Sequence, residues 1–297
     1  MRILVYGAGV QGCELAHRLL QNKKNVVTML ARGEWKERLD QRGLVIRHWA
    51  QCRTTVDRVA TMTRWPRTLL RPRFRDDAGR AAADVLPILK QNRSEYFVFV
   101  GNDPHAVEVM QAMQRPADKI AFGFQSSGGH RDVDKVVSAH VGVGMTIGGA
   151  TAPLSGVFRY RVKTAFEGAK YKLTFVSDMD GWLKCHLALI LPACYLCYAC
   201  SGDLSKATKE QRDLVLDAAW EACEMLKAAT SPWTTRRTPT ATVPVRPAAG
   251  RWTPWSWRSV RPRWAVSASP TTRCMLWLRC STSMRLSRVC APGRASG

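Results

Sequence analysis

Past Glu224 the chain has no aspartate or glutamate, and past Lys227 it has no lysine. What remains, residues 231–297, carries twelve arginines and six of the eleven tryptophans, without a sustained apolar period. That composition excludes both a mixed-charge surface and a patterned helix or strand there. Residues 61–82 likewise lack strand alternation or a helical face. They hold six arginines against two aspartates, and Pro66 and Pro72 interrupt any regular element. Together the two stretches carry +16 of the formal net charge of +22. The basic balance is therefore local, and a nucleic-acid-binding reading rests on these segments alone.

Other absences narrow the class. The apolar start is too short for a signal peptide and runs straight into Gly7. The longest apolar run, residues 187–200, contains Pro192 and falls short of a membrane span. The ten cysteines show no disulfide framework, so the expectation is a cytoplasmic protein with reduced thiols and no membrane association. Cys194, Cys197 and Cys200 form C-x-x-C-x-x-C, but no fourth cysteine follows at iron–sulfur spacing. They are expected to be small apolar fillers of a helix, and no metal-ligand set is predicted. With 297 residues, 46% of them apolar, the chain can bury a sizeable core and form two domains.

What is there begins at once. Residues 2–12, RILVYGAGVQG, place an apolar β-forming run directly before glycines at G-x-G-x-x-G spacing, and a helical pattern follows at Leu15, Ala16, Leu19 and Leu20. Gly7 permits the turn, Gly9 leaves room for a pyrophosphate and Gly12 allows close helix packing. The diphosphate of a dinucleotide would face the N–H groups of Gly7, Ala8, Gly9, Val10, Gln11 and Gly12 at the positive end of that helix. A second strand at residues 25–30 ends at Arg32, where an NAD site would carry an acid. A guanidinium there suits a 2′-phosphate, so NADPH is the expected cofactor.

Further along, residues 43–48 and 54–59 read as an antiparallel strand pair. A helix is predicted at 83–90, a strand at 96–100, a turn at Gly101-Asn102-Asp103, a helix at 104–113 and a strand at 120–124. Ser127-Gly128-Gly129 reads as a loop, and residues 141–147 and 172–176 as closing strands. This alternation predicts an α/β fold with a mostly parallel, Rossmann-like sheet. Asp180 is expected to cap a long helix, apolar on every side and so buried or paired with a second copy of the chain. A second helix, residues 209–228, carries a capping box at Thr208 and Gln211, with Leu214, Ala218, Ala222, Met225 and Leu226 inward. Lys184, near the start of the apolar helix, asks for an anionic partner or a catalytic task. Beside a nicotinamide it could protonate a carbonyl oxygen. His186 is expected to be structural.

These motifs resemble those of the ketopantoate reductases (2-dehydropantoate 2-reductases). The resemblance rests on RILVYGAGVQG, LARGEW, FVFVGND, VGVGMTIGG and the Trp182-x-Lys184 pair, and it covers residues 1–58 and 83–229. It implies a Rossmann domain followed by a helical domain, and NADPH-dependent reduction of a 2-oxo acid, ketopantoate to pantoate, on the route to coenzyme A. By the same resemblance Gly7, Gly9 and Gly12 hold the phosphates, Arg32 the 2′-phosphate, Asn102 the nicotinamide and substrate, and Lys184 is catalytic. Where the family has a substrate-contacting asparagine this chain has Leu187 and Ala188, and the family's C-terminal glutamate has no counterpart. The domains implied are residues 1–176, 177–229 as the start of an incomplete helical domain, and a basic tail from 230. The arginine, proline and tryptophan bias of 61–82 and 231–297 is that of a GC-rich gene read out of frame. The first of these stretches sits where the family's strand flanks the first one. The alternatives are thus a frame-disrupted relative that only binds nucleotide and a basic nucleic-acid-binding protein.

Overall fold

The computed structural model describes residues 1–63, 85–140 and 142–229. Most of the irregular stretch and the whole of the arginine-rich tail lie outside the described residues, as does Val141. In chain order the elements are β1 (Arg2–Tyr6), α1 (Val10–Gln21), β2 (Val26–Leu30), α2 (Gly33–Arg42), β3 (Leu44–His48), β4 (Arg53–Asp57), β5 (Ala60–Met62), β6 (Phe97–Val100), α3 (Ala106–Met113), β7 (Ile120–Gln125), β8 (Gly128–Arg131), β9 (Val136–Ala139), β10 (Gly144–Gly148), α4 (Gly156–Ala165), β11 (Lys172–Phe175), α5 (Met179–Ala199) and α6 (Lys209–Ala229). Residues 85–90 are helical and lead into β6.

The strands form three sheets. The first is parallel, β1–β2–β5, with Arg2 opposite Val26 and Thr28 opposite Ala60. Thr61 and Met62 belong to β5, so the irregular stretch begins later than its composition suggests. The second runs β11–β10–β7–β6, parallel except where β10 meets β7. The third, β4–β3–β9–β8, contains the expected antiparallel pair, Leu44 opposite Asp57. Ser127-Gly128-Gly129 is not simply a loop, because Gly128 and Gly129 open β8 and pair with Ala139 and Ser138.

In a doubly wound sheet the fourth strand lies beside the first. Here β1 is bordered by β2 on one side, and among the described residues no strand pairs with the other side; β6 is open in the same way. A cavity of about 650 Å³ is lined by Arg2, Ile3, Leu4, Val5 and Tyr6 of β1 together with Phe97, Val98 and Val100 of β6. The gap does not divide the packing. One core gathers Val5, Cys13, Ala16, Leu19 and Met29 around α1 and reaches across to Ala121, Met145 and Ile147 of the second sheet, and another gathers Phe97, Phe122, Phe124, Trp182 and Leu183 where α5 meets β6 and β7.

Helix α1 presents a polar flank to the third sheet. Arg18 Nε donates to Glu14 Oε1 at 2.7 Å, Arg18 Nη2 lies 3.2 Å from His140 Nε2, and His17 Nδ1 lies 2.6 Å from Asp57 Oδ2. Burial pushes the His48 imidazole down to about 4 and lowers that of His140. Burial alone would raise the Glu14 carboxyl, but the Arg18 guanidinium and His140 hold it below the ordinary carboxylate value.

Helix α5 departs from expectation in three ways. Its cap is Asp178, whose Oδ1 accepts from Gly181 N at 2.8 Å; Asp180 lies inside the first turn and pairs with Lys184. It passes through Pro192 and spans 21 residues, long and apolar enough by length and composition to cross a membrane. It is not buried on every side: Leu196, Cys197 and Leu189 pack toward α6 and the turn before it, while Tyr195 is 72% exposed. In α6 the capping box forms, Gln211 N donating to Thr208 Oγ1 and Thr208 N to Gln211 Oε1. Its inward face is shifted by one position. Val215, Leu216, Ala219 and Cys223 are buried at helical spacing, so Leu214 and Met225 face outward. Cys13, Cys185, Cys200 and Cys223 are free thiols, but Cys52 and Cys197 are disulfide-bonded, so the expectation of uniformly reduced thiols does not hold.

Candidate active site

The glycine turn has a separate reason for each glycine. Gly7 stands at φ +111°, strained for any L side chain. A Cβ on Gly12 would lie 2.1 Å from the Gly7 carbonyl oxygen, so the helix can approach the turn only without one. A Cβ on Gly9 would meet nothing within 4 Å, leaving open space above the turn. Gly9 is also the N-cap of α1, with no side-chain cap, and no acid occupies the first turn. Cys13 N closes that turn on Gly9 O at 2.9 Å, so the N–H groups of Val10, Gln11 and Gly12 have no acceptor within the helix. The result is a bare, electropositive helix end shaped for a diphosphate. Ala8 and Val10 pack on or within the core and could contribute only backbone.

Arg32 caps α2 at the end of β2 and is exposed. Its charge reaches the end of β1, where burial raises the Tyr6 phenol and Arg32 opposes the rise. Lys36 is engaged with Asp40.

The Gln11 side chain turns into the protein rather than toward a ligand. Its Nε2 donates to Ser127 O at 2.5 Å, while its Oε1 accepts from Gln125 Nε2 at 2.8 Å and Ser127 Oγ at 3.1 Å. Tyr171 Oη completes the chain by donating to Gln125 Oε1 at 2.8 Å. Only the Gln11 backbone is left to face a cofactor. The same bonds place the carboxyl end of β7 against the glycine turn. β6 runs parallel to β7, so its carboxyl end points the same way.

At that end β6 passes into Gly101 and Asn102. Gly101 N donates to Gly123 O at 2.9 Å, and Asn102 holds its Oδ1 buried with no hydrogen-bond partner. Asp103 Oδ1 accepts from His105 N, completing the turn before α3. The first turns of α5 lie over β7: Trp182 packs 5.5 Å from Phe124, centroid to centroid, and Leu183 enters the same core. Lys184, half-buried, donates to Asp180 Oδ2 at 2.6 Å, the anionic partner its setting demands. Burial raises the neighbouring Asp178 carboxyl, the Gly181 N–H opposing it. Hydrogen bonding to its own backbone lowers the Glu108 carboxyl on α3, with Lys184 among the lesser causes, so the ammonium lies within electrostatic range of α3. His186 is wedged between Phe124 at 4.2 Å and Trp182 at 5.2 Å, and burial pushes it down to about 3. That is a core imidazole, as its position two residues from Lys184 suggests.

The glycine turn, Arg32 and Asn102 thus share the carboxyl ends of the parallel strands. Helix α5 starts where β10 ends, opposite Phe122 of β7, and Lys184 one turn on reaches the first turn of α3 by its charge on Glu108. Sequence reasoning missed Gln125, Ser127 and Tyr171, which anchor the turn. Their only signal was the serine at a strand end, because the partners are more than 40 residues apart in the chain.

No family model and no curated protein sequence matches this chain. Solved structures do. A 2-dehydropantoate 2-reductase from Geobacter metallireducens GS-15 is similar over 88% of this chain and 87% of its own, at 16% identity and a TM-score of 0.62. Another, from Porphyromonas gingivalis W83, is similar over 98% and 95%, at 13% identity and 0.58. A ternary structure of D-mandelate dehydrogenase with NADH and anilino(oxo)acetate is similar over 76% and 75%, at 12% identity and 0.57. The chain has the fold shared by these reductases, a Rossmann-like domain followed by helices.

Proposed function

We propose that this chain reduces a 2-oxo acid with NADPH, 2-dehydropantoate giving pantoate. The observation that carries the reading is the open space above Gly9 at the uncapped start of α1, beside the carboxyl ends of β7 and β6 that lead to Asn102. The first-turn N–H groups of α1 would hold the diphosphate and Arg32 the 2′-phosphate; when bound, the dihydronicotinamide supplies the hydride. The unpartnered Asn102 Oδ1 is an acceptor for a nicotinamide amide or a substrate hydroxyl. Lys184 Nζ gives a proton to the carbonyl oxygen as negative charge develops there, and Asp180 Oδ2 keeps the amine in place until solvent reprotonates it. The fold of 2-oxo acid reductases supports this class of reaction.

The test is titration of the full chain with NADPH and NADH, followed by turnover with ketopantoate. Saturable binding with NADPH preferred, and turnover lowered about 10²–10⁴-fold by Lys184→Met at unchanged NADPH affinity, is the expected result. Turnover unaffected by Lys184→Met would overturn it. Among the described residues no strand pairs with the outer edge of β1, which favours a second reading, nucleotide binding without turnover, and NADPH binding to a chain inert toward every 2-oxo acid tried would select it.

A further inference from the structure

The open side of the glycine turn offers a ligand backbone only, so whatever holds that backbone from behind governs how well it binds. Gln125 and Ser127 lie there, both buried. Gln125 Nε2 sits among three oxygens, 2.8 Å from Gln11 Oε1, 2.8 Å from Ser127 Oγ and 3.1 Å from the Gln11 backbone carbonyl oxygen. A carbonyl oxygen can only accept, so the Gln125 amide has one workable orientation, Nε2 toward α1 and Oε1 toward Tyr171. Tyr171 Oη fixes it from the other side, donating to Oε1 at 2.8 Å. The phenol ring is itself held, stacked on Phe166 at 4.3 Å and 7°. Burial raises the Tyr171 hydroxyl well above the ordinary tyrosine value, with Glu14 adding to the rise, so this donor keeps its proton.

The carbonyl that Gln125 grips belongs to the Gln11–Gly12 peptide, and the N–H of that same peptide is among the first-turn donors with no acceptor in the helix. Drawing charge toward the oxygen of an amide makes its N–H a stronger donor, hydrogen bonds in a chain reinforcing one another by about 10–30% each. An amide held at its oxygen also keeps its N–H aimed, so less ordering is left to be done when a ligand arrives. We propose, on the dinucleotide reading of the glycine turn, that Gln125, oriented by Tyr171, is the positioning residue for the diphosphate: through the Gln11–Gly12 peptide it sets how strongly the Gly12 N–H holds a phosphate oxygen. Affinity for the cofactor is then governed from β7 and from the residue before β11, behind the turn rather than on its open side.

The full chain is titrated with ADP-ribose, which carries the diphosphate, and with adenosine 2′-monophosphate, which does not. Gln125→Leu should weaken ADP-ribose binding about tenfold and leave adenosine 2′-monophosphate binding as it was. Tyr171→Phe keeps the ring and removes only the hydroxyl, and should weaken ADP-ribose binding by a smaller factor. Gln125→Glu separates positioning from packing. Its carboxyl donates an O–H to the Gln11 carbonyl when neutral and repels that oxygen when ionised, so its ADP-ribose affinity relative to the wild type should recover as pH falls. Overturning results are unchanged ADP-ribose binding in Gln125→Leu, an equal loss for both ligands, or a relative affinity of Gln125→Glu that is flat with pH. A wild-type chain that binds neither ligand overturns the dinucleotide reading and this proposal with it, and is told apart from the other outcomes before any variant is made.

Discussion

Along one side of β1 five residues face five of β2 in unbroken parallel register, Arg2 against Val26 through Tyr6 against Leu30. Along the other side lies a cavity of about 650 Å³, with β6 beyond it. The same five residues therefore serve two environments, and the contrast separates what a dinucleotide turn needs from what a continuous sheet needs. The turn needs a strand, a helix and a second strand, and all three are in place on the filled side. The sheet needs a strand on the far side, and in the sequence the stretch leading into residues 85–90 offers no apolar run of strand length, with Pro66 and Pro72 among its arginines.

Substitutions on the two sides should respond unequally. Met29→Ala, on the filled side and fully buried, is expected to cost about 2–5 kcal/mol in urea unfolding. A loss below about 1 kcal/mol there would mean that this side is no better packed than the other. The second core gives a smaller, pH-dependent effect. His186 titrates near 6.5 when unfolded and near 3 in the fold, so above pH 6.5 neither state is charged and it contributes nothing to pH dependence. As pH falls below 6.5 the unfolded chain takes the proton and the folded one does not. Stability should drop by about 1.4 kcal/mol per pH unit toward pH 3, and His186→Leu should flatten that slope in urea midpoints measured from pH 7 to pH 4. Smallest is the effect of Val98→Ala on β6, 41% exposed and lining the cavity, which should change stability by less than about 0.5 kcal/mol. A cost as large as that of Met29→Ala would show the gap to be filled in solution, and the comparison would fail.

The sequence made legible whatever local chemistry dictates. The glycine turn is spelled by three residues whose steric roles the structure separates, the β3–β4 pair by its alternation, and the α6 cap by Thr208 and Gln211. It failed where distant contacts decide. Gly33–Arg42 was missed as a helix because it buries little beyond Leu39. Gly128–Arg131 looked like a loop because two glycines hide a strand that forms only against β9. Asp180 was mistaken for a cap because nothing local distinguishes it from Asp178, while its pairing with Lys184 appears only once the helix is built. Of the candidate site, the turn and Lys184 could be read from the chain. The bonds of Gln11 to Gln125 and Ser127 could not.

Those amide and hydroxyl bonds have a mechanical meaning. They join the strands on the two banks of the gap where the glycine turn meets β7. At the opposite extremity, around Met1, Asn92 and Glu95, the banks line the same void. Helix α4 fastens that far end as well, Ala165 O accepting from Asn25 Nδ2 on one bank while Arg161 faces Glu95 and Phe158 packs on Tyr96 on the other. The seam is thus pinned at both ends, and the void between them is a chamber with fixed walls.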